Sequence, residues 1–381
     1  MSGRRPLGLY LHIPFCASKC VYCDFASYPH REMAWEPYLR ALCGEMASWR
    51  ERMEGHEVIS VFLGGGTPSL LSEAQIARLL ESAASQFRIS PDAEITMESN
   101  PGTLTLPKLR ACRAAGVNRL SFGVQAMDDR LLRRLGRIHT VREAVDAVEM
   151  ARAAGFDNVS LDLMYALPGQ SRADWRSTLR DAVALEPEHI SAYSLIVEEG
   201  TPLARQVARG EAELPDEDAA VDMHREAVHF LSEAGYERYE ISNYARPGRA
   251  CRHNIIYWER GEYLGLGCAA HSLVGETRFE NPRDLDCYLA GERQLNVEHI
   301  DRQEAMEEML MLATRMCRGM NLADYRRQFG EDFLRMRMRT LERLRKMGLV
   351  EWSADSLWLT ERGLELQNAV VVELLEEETG K

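Results

Sequence analysis

The sequence predicts an α/β fold: a partial barrel of six parallel strands with helices outside, followed by a small, mainly helical, winged-helix-like domain. Three observations predict this arrangement. Strand-like segments alternate with helical ones along most of the chain, polar residues follow the strand-like segments, and the alternation ends near Asp301. Repeated strand–helix units are typical of parallel sheets covered by helices.

The first six strand-like segments define the predicted barrel. They are GLYLHIPF, VISVFLGGG, AEITMESN, VNRLSFGVQ, VSLDLMYALPG and HISAYSLIV. An open doubly wound sheet and a partial barrel both fit their alternation with helices. The polar residues favour the barrel, because active sites of barrel enzymes assemble where successive strands end. After the first strand come the cysteines, and after the next four come Gly64–Thr67, Glu98, Gln125 and Asp162.

From Asp301 onward the pattern changes to helices and one short hairpin, LVEWSADSLWLTERG. Helices with a small hairpin are typical of winged-helix domains, which often read nucleic acid. The acidic chain favours an interaction or lid domain instead. We therefore predict a barrel over residues 1–240, an extension and connection over 241–300, and a C-terminal domain over 301–381.

Composition limits the possible classes of function. The 381 residues are 45% hydrophobic and 28% charged, which is ordinary for a globular protein. A net charge of −13 argues against broad electrostatic binding to nucleic acid. The apolar runs are too short to span a membrane, and the first one lacks the cleavage site of a signal peptide. We expect a cytoplasmic protein, peripheral to a membrane only through its partners, whose clustered cysteines are metal ligands.

The stretch HIPFCASKCVYCDFAS gathers three soft metal ligands: Cys16, Cys20 and Cys23. Phe25 stands where a fourth thiol would complete the set. A structural zinc site would need a fourth protein ligand, for which His12 and Asp24 are candidates. An iron–sulfur cluster held by three thiolates would instead leave one iron open to a small molecule. Asp24 follows Cys23 directly and His12 lies inside a predicted strand, which favours the cluster.

The C-x3-C-x2-C spacing and the barrel together resemble the radical S-adenosylmethionine (SAM) enzymes. The resemblance implies a [4Fe–4S] cluster on the three cysteines, with SAM chelating the open iron and a cluster electron splitting the sulfonium. FLGGGTPS looks like the family's loop for the methionine amino group, where a Cβ would block a close ligand. The cofactor-binding residues implied are Tyr10, Tyr22, Gly65, Gly66, Thr67, Glu98, Gln125, Arg137 and Asp162.

Six further motifs narrow the resemblance: YLHIPFC, GGGTPS, SFGVQ, LDLMYALPGQ, EISNYARPG and HNIIYW. They resemble the branch that holds oxygen-independent coproporphyrinogen III oxidase and the HemW-type haem chaperones. The oxidase motif is C-x3-C-x2-C-x-C, and this chain has Phe25 in place of the last cysteine. The oxidase also has a sizeable extension before the cluster, whereas in this chain only fifteen residues precede Cys16. RHNIIYW matches the HNxxYW signature of the chaperones. These features favour the chaperones.

The HNxxYW stretch and its neighbourhood supply candidate haem contacts. Histidine is a common axial ligand of haem iron, and Tyr and Trp pack on porphyrin faces. The candidates are His253, Tyr257, Trp258 and His271, with Cys251 and Cys268 as rival ligands. A purely structural, hydrogen-bonded role for His253 remains the alternative.

The resemblance implies a chaperone that binds haem as cargo and passes it to apo-haemoproteins, respiratory ones among them. It also implies an electron donor such as flavodoxin or ferredoxin, and it leaves a homodimer open. The alternatives are the oxidase, which converts two propionates of coproporphyrinogen III to vinyl groups, and another radical SAM enzyme of tetrapyrroles. Whether radical chemistry occurs at all stays open at this point.

Overall fold

The structure, a computed structural model, describes residues 3–376, so the outermost ends of the predicted first and last domains lie outside the described residues. The strands are β1 (Arg5–Ile13), β2 (Phe15–Cys16), β3 (Tyr28–Pro29), β4 (His56–Gly65), β5 (Ile89–Ser99), β6 (Arg119–Gln125), β7 (Val159–Tyr165), β8 (His189–Ser194), β9 (Glu237–Glu240), β10 (Asn243–Ala245), β11 (Tyr263–Leu266), β12 (His271–Val274), β13 (Thr277–Glu280), β14 (Leu295–His299), β15 (Met320–Asn321), β16 (Val350–Trp352) and β17 (Ser356–Leu359).

The helices cover the sheet and build most of the C-terminal region. They are α1 (Glu32–Trp49), α2 (Glu73–Gln86), α3 (Leu106–Ala114), α4 (Asp129–Leu135), α5 (Val141–Ala153), α6 (Arg172–Val183), α7 (Pro202–Ala208), α8 (Glu217–Glu233), α9 (Arg252–Trp258), α10 (Leu285–Leu289), α11 (Arg302–Ala313), α12 (Leu322–Phe329), α13 (Phe333–Lys346), α14 (Glu361–Glu365) and α15 (Gln367–Leu375). Among the described residues, none of these helices is both long and apolar enough to cross a membrane.

Twelve strands form one sheet in the order β14-β13-β12-β11-β1-β4-β5-β6-β7-β8-β10-β9. The six strands β1, β4, β5, β6, β7 and β8 are parallel neighbours that follow one another in chain order. A doubly wound sheet would instead reverse its strand order at a switch point. The predicted partial barrel of six parallel strands is therefore confirmed.

The outer face of this sheet is apolar and packs against the helices. The side chains of β1 that are fully buried alternate along the strand: Leu7, Leu9, Leu11 and Ile13. Because successive side chains of a strand point to opposite faces, Tyr10 and His12 turn toward the inside of the barrel. Helices α2, α5 and α6 begin with capping boxes, which fixes where each helix starts after its strand.

The inside of the barrel carries an uncommon number of polar side chains. Buried polar residues on the strands include Ser60, Glu94, Arg119, Ser160 and His189. Packed barrel interiors are usually filled by branched apolar residues. A polar interior of this kind indicates that the barrel binds a polar ligand rather than serving only as an apolar core.

Short strands extend the sheet at both edges, and the sequence reasoning did not include them. Strand β11 joins β1 in parallel, from Gly8↔Tyr263 to Leu11↔Leu266, and β12–β14 continue antiparallel. At the other edge β10 and β9 are antiparallel. Strands of three to five residues give too short an alternation to be recognised.

The C-terminal region has its own apolar core and a three-stranded sheet, β15-β17-β16. The predicted hairpin is the pair β16–β17, and the predicted helices correspond to α11, α12 and α13. These elements confirm the small, mainly helical, winged-helix-like domain. The region is docked on the barrel through ion pairs such as Arg225–Glu365. The boundaries at residues 240 and 300 stay predictions.

Candidate functional site

A cavity of about 400 Å³ opens at the carboxyl ends of the parallel strands. All but one of the predicted cluster and cofactor residues line it: Cys16, Cys20, Cys23, Tyr22, Gly65, Gly66, Thr67, Glu98, Gln125, Arg137 and Asp162. The exception is Tyr10, which is stacked on Phe62 with 6.2 Å between ring centroids and lines a second cavity. The assignment of these side chains to a bound cofactor stays a prediction.

The three cysteines are free, partly exposed thiols on one loop. Thr67 Oγ1 donates to Cys16 Sγ at 3.5 Å, and Arg137 Nη1 donates to Cys20 Sγ at 3.6 Å. Burial raises the pKa of the Cys23 thiol. Hydrogen-bond donors aimed at sulfur stabilise thiolates, which are the form that binds metal.

The spacing of possible ligands bears on which inorganic group would fit. Within residues 3–376, no three His, Cys, Asp or Glu side chains converge closely enough to hold a single metal ion. A cubane cluster binds each thiolate at a different iron and therefore needs its ligands further apart. Three thiols around one open cavity fit a [4Fe–4S] cluster better than they fit one zinc ion.

The glycine loop after β4 packs against the start of the cysteine loop. Gly66 N–H donates to the Ile13 carbonyl at 2.8 Å, and Thr67 N–H donates to the Phe15 carbonyl at 2.7 Å. A Cβ on Gly66 would lie 2.6 Å from the Phe15 carbonyl oxygen, and a Cβ on Gly65 would clash with the His12 ring. A Cβ at either position would therefore first displace groups of the chain itself, and the expectation that it would also block a ligand stays a prediction.

Two carboxyl groups face each other across the cavity. Glu98 Oε2 accepts a hydrogen bond from Gly65 N–H at 3.0 Å, and Ser121 Oγ donates to Asp162 at 3.1 Å. Burial, with the nearby charge of Asp162, raises the pKa of Glu98 to about 7. Burial also raises the pKa of Asp162. Each carboxylate would be stabilised by a polar or cationic ligand group, which the amine, sulfonium and ribose of SAM can supply.

The end of β6 holds an uncommon backbone conformation. Gln125 has φ of +67°, a region that non-glycine residues seldom occupy, and its Oε1 accepts a hydrogen bond from Tyr193 Oη at 3.1 Å. Arg137 Nη2 donates to the Gly123 carbonyl at 2.5 Å. Such conformations persist where the surroundings hold them and cluster at binding sites.

Two residues that act on this site were missed at the sequence level: Tyr193, which lines the cavity, and Arg119, which does not line it but whose charge lowers the pKa of Glu98 and of Asp162. Tyr193 lines the cavity at the end of β8, and the rule that located Glu98 and Asp162 would have found it. Arg119 is buried inside the barrel, and the signal available was a charged residue within an apolar strand. Tyr193 was passed over because no polar group was sought at the end of the sixth strand, and Arg119 because it stands at the start of β6 rather than at its end.

The HNIIYW motif forms helix α9, which packs against β4 and β1 away from the cysteines. His253 is 1% exposed, and its two ring nitrogens lie 2.8 Å from Ser60 Oγ and 2.9 Å from Tyr257 Oη. Its ring stacks on Phe62 at 5.0 Å, and burial lowers its pKa to about 3. Both ring nitrogens of His253 are thus engaged within the protein, which favours the structural alternative, and its role toward haem stays a prediction.

The other haem candidates separate into two groups. Trp258 packs under Arg315, whose Cζ lies 4.5 Å from its ring centroid, and it lines neither of the two cavities. Cys251 and Cys268 are buried and also line neither cavity. Tyr257 and His271, in contrast, both line the second cavity, which has a volume of about 390 Å³.

Comparison with known proteins identifies what this chain is similar to. Residues 10–182 match the model of the radical SAM superfamily, and residues 300–366 match that of the HemN C-terminal domain. Relatives named "Heme chaperone HemW" are 36% identical in Mycobacterium tuberculosis, over 97% of this chain and 95% of the relative, and 35% identical in Bacillus subtilis, over 95% and 97%. The solved structure of the radical SAM enzyme coproporphyrinogen III oxidase (HemN) from Escherichia coli is 26% identical, with a TM-score of 0.84, over 98% of this chain and 90% of that one.

Proposed function

This chain belongs to the HemW haem chaperone family of the radical SAM superfamily, and from that membership we propose that it binds haem and transfers it to apo-haemoproteins. The observation that carries the proposal is identity of 34–36% to several haem chaperones over nearly the whole length of both chains. The similarity to the chaperones covers the extension and the C-terminal region as well as the barrel, whereas the radical SAM model matches only residues 10–182.

The superfamily implies a [4Fe–4S] cluster and SAM, and the residues present fit both. Three thiols would hold the cluster, and the carboxyl groups of Glu98 and Asp162 would meet polar groups of SAM. When bound, the reduced cluster supplies an electron to the sulfonium of SAM. The chain's own contribution is to keep the thiolates in hydrogen bonds from Thr67 and Arg137 and to enclose the pair of carboxyl groups.

Oxidation of coproporphyrinogen III is the second candidate function, because the oxidase structure covers 98% of this chain. Two observations favour the chaperone. Identity to that oxidase is 26%, against 34–36% for the chaperones named above. Phe25, which is 68% exposed at the mouth of the first cavity, stands where the oxidase motif has a further cysteine.

The finer parts of the proposal concern partners and place. The proposed haem acceptors are apo-haemoproteins of the respiratory membrane. The chaperone itself is cytoplasmic and reaches them from that side. Its electron donor is a flavodoxin or ferredoxin. Support for a small electron carrier is that all three cysteines are partly exposed, so a partner surface can approach the cluster loop. A homodimer is a further element of this proposal, to be read from sedimentation with and without haem.

The test of the proposed function is retention and transfer of haem. Cluster-reconstituted protein should retain ferric haem through gel filtration at micromolar concentration and then raise the Soret band of an apo-haemoprotein faster than haem-loaded albumin does. Failure to retain haem would overturn the chaperone function. Formation of protoporphyrinogen IX from coproporphyrinogen III, with SAM and a reductant, would favour the oxidase instead.

A further inference from the structure

We propose that haem binds in the second cavity, beside the neighbouring strands β1 and β11, with His271 as the protein ligand of its iron. This inference rests on the proposed function and names the site that the function requires. Asp24 and Phe25 line both cavities, so this site and the cysteine loop share a wall.

The walls of the second cavity suit a flat macrocycle. Aromatic side chains line it from three parts of the chain: Tyr10, Phe25, Tyr257 and Tyr263. Tyr257 and Tyr263 meet edge to face with 4.7 Å between ring centroids, so their arrangement is fixed by mutual packing. Rings of this kind pack on the faces and edges of a porphyrin.

Two imidazoles line this cavity, and they differ in what their nitrogens do. His12 uses both, with Nδ1 at 3.0 Å from Tyr10 Oη and Nε2 at 2.9 Å from the Ala26 carbonyl. His271 places Nε2 at 3.1 Å from Glu280, and its other nitrogen has no hydrogen-bond partner within residues 3–376. A carboxylate on one ring nitrogen orients a histidine ligand and raises its basicity. His271 is therefore the imidazole able to bind iron.

The charges at the cavity match the remaining parts of haem. Arg283 lines it with a side chain that is 64% exposed, and guanidinium groups bind carboxylates such as propionates in well-defined geometry. The two acidic residues of the lining are both already paired, Asp24 with Arg283 at 3.1 Å and Glu280 with His271. The Asp24–Arg283 pair limits the repulsion that a haem propionate would meet from Asp24, whereas Glu280 beside a neutral, iron-bound His271 keeps its charge.

The HNIIYW motif acquires a defined role in this site. His253 binds Tyr257 Oη and stacks on Phe62, and so holds Tyr257 against the second cavity. His253 is thus a positioning residue that contacts no iron. Replacing it should loosen haem binding while leaving the axial ligand, and therefore the Soret position, unchanged.

The experiment compares His271→Ala with the matched control His229→Ala in cluster-reconstituted, haem-titrated protein. His229 is also exposed and also pairs with a glutamate, Glu233 at 3.4 Å, but it lies on α8. We expect His271→Ala to shift the Soret band and weaken haem binding by about tenfold or more, which is the size of one lost ligand interaction. Added imidazole should restore the wild-type band, and His229→Ala should behave as wild type.

The outcomes separate this inference from the function on which it rests. Wild-type protein that retains no haem would overturn the proposed function. Wild-type retention with an unchanged band and affinity in His271→Ala, or a shifted band that imidazole does not restore, would overturn the assignment of His271. If His271→Ala loses its cluster absorption, His271→Tyr replaces it: a phenolate ligand should give its own Soret position, and an unshifted band would again overturn the assignment.

Discussion

At the scale of single residues, the first cavity holds two buried carboxyl groups whose pKa values are raised. Glu98 and Asp162 both have raised pKa values because burial disfavours their charged forms. The charge of Asp162 raises the pKa of Glu98 further, and the charge of Arg119 partly offsets the shift of both. Their hydrogen-bond donors are neutral groups: Gly65 N–H for Glu98, and the hydroxyls of Ser121 and Ser191 for Asp162. Such a pair destabilises the empty protein and is available for a ligand that carries hydrogen-bond donors.

The raised pKa of Glu98 makes stability depend on pH. In the folded protein its pKa is about 7, above the ordinary value of 4.5, so the folded state binds the proton more tightly than the unfolded state. The resulting destabilisation is absent below pH 4.5, grows as the pH rises, and is complete above about pH 7. Glu98→Gln should therefore raise the free energy of unfolding at pH 8, by on the order of 2 kcal/mol.

Urea titrations at pH 5 and pH 8 measure this effect. The exposed Glu199→Gln is the matched control and should change stability at neither pH. A Glu98→Gln gain that is equal at both pH values would contradict the raised pKa, because the neutral amide would then differ from the acid for reasons other than ionisation.

At the scale of elements, two loops depend on each other's backbone. The loop after β4 and the approach to the cysteines are joined by Gly66 N–H and Thr67 N–H, which donate to the Ile13 and Phe15 carbonyls. The cysteine loop is further held by Val21 N–H, which donates to the Leu135 carbonyl at 3.1 Å. The glycines therefore help to place the thiols, in addition to any contact with a ligand.

Gly66→Val should consequently reduce cluster loading as well as SAM binding. The added Cβ would meet the Ile13 and Phe15 carbonyl oxygens at 2.8 and 2.6 Å, so the backbone before Cys16 must move. Absorption of the reconstituted cluster and calorimetry with SAM measure the two losses. Gly44→Val, where a Cβ meets nothing within 4 Å, is the control. If Gly66→Val loads the cluster fully but loses SAM affinity, the prediction is contradicted, and Gly66 contributes to SAM binding without helping to place the thiols.

The sequence predicts a residue's position well when nearby residues determine it, and poorly when contacts distant in the sequence determine it. The rim residues were predicted correctly as neighbours because parallel strands end at one edge of a sheet, so Glu98, Gln125 and Asp162 had to converge. His253 and Trp258 were assigned to haem from the HNxxYW signature and from their residue types, and both assignments stay predictions. Their actual neighbours, Ser60 and Arg315, come from distant parts of the chain. Only the packing of α9 against β4 brings His253 to Ser60, and no local pattern encodes it.

At the scale of the whole molecule, the C-terminal region is fastened to the extension by a charged cluster around one buried arginine. The side chain of Arg260 is 2% exposed and pairs with Glu276 at 2.6 Å and Glu308 at 2.8 Å. Arg278 binds the same Glu308 carboxylate at 2.5 Å. Glu308, on α11, therefore neutralises two arginines of the extension at once.

Removing this carboxylate should loosen the docked C-terminal region more than any surface ion pair can. Glu308→Gln would leave the enclosed Arg260 with Glu276 as its remaining partner, so the cost should be above that of a surface pair but below the about 3–5 kcal/mol of a buried charge left with no partner. The control is Glu331→Gln, which breaks the exposed Arg302–Glu331 pair (2.9 Å) and should cost less than about 1 kcal/mol. Hydrogen–deuterium exchange of α11–α15 and of the β16–β17 hairpin measures both changes. Equal protection in the two variants would show that apolar packing, rather than the charged cluster around Glu308, holds this region on the barrel.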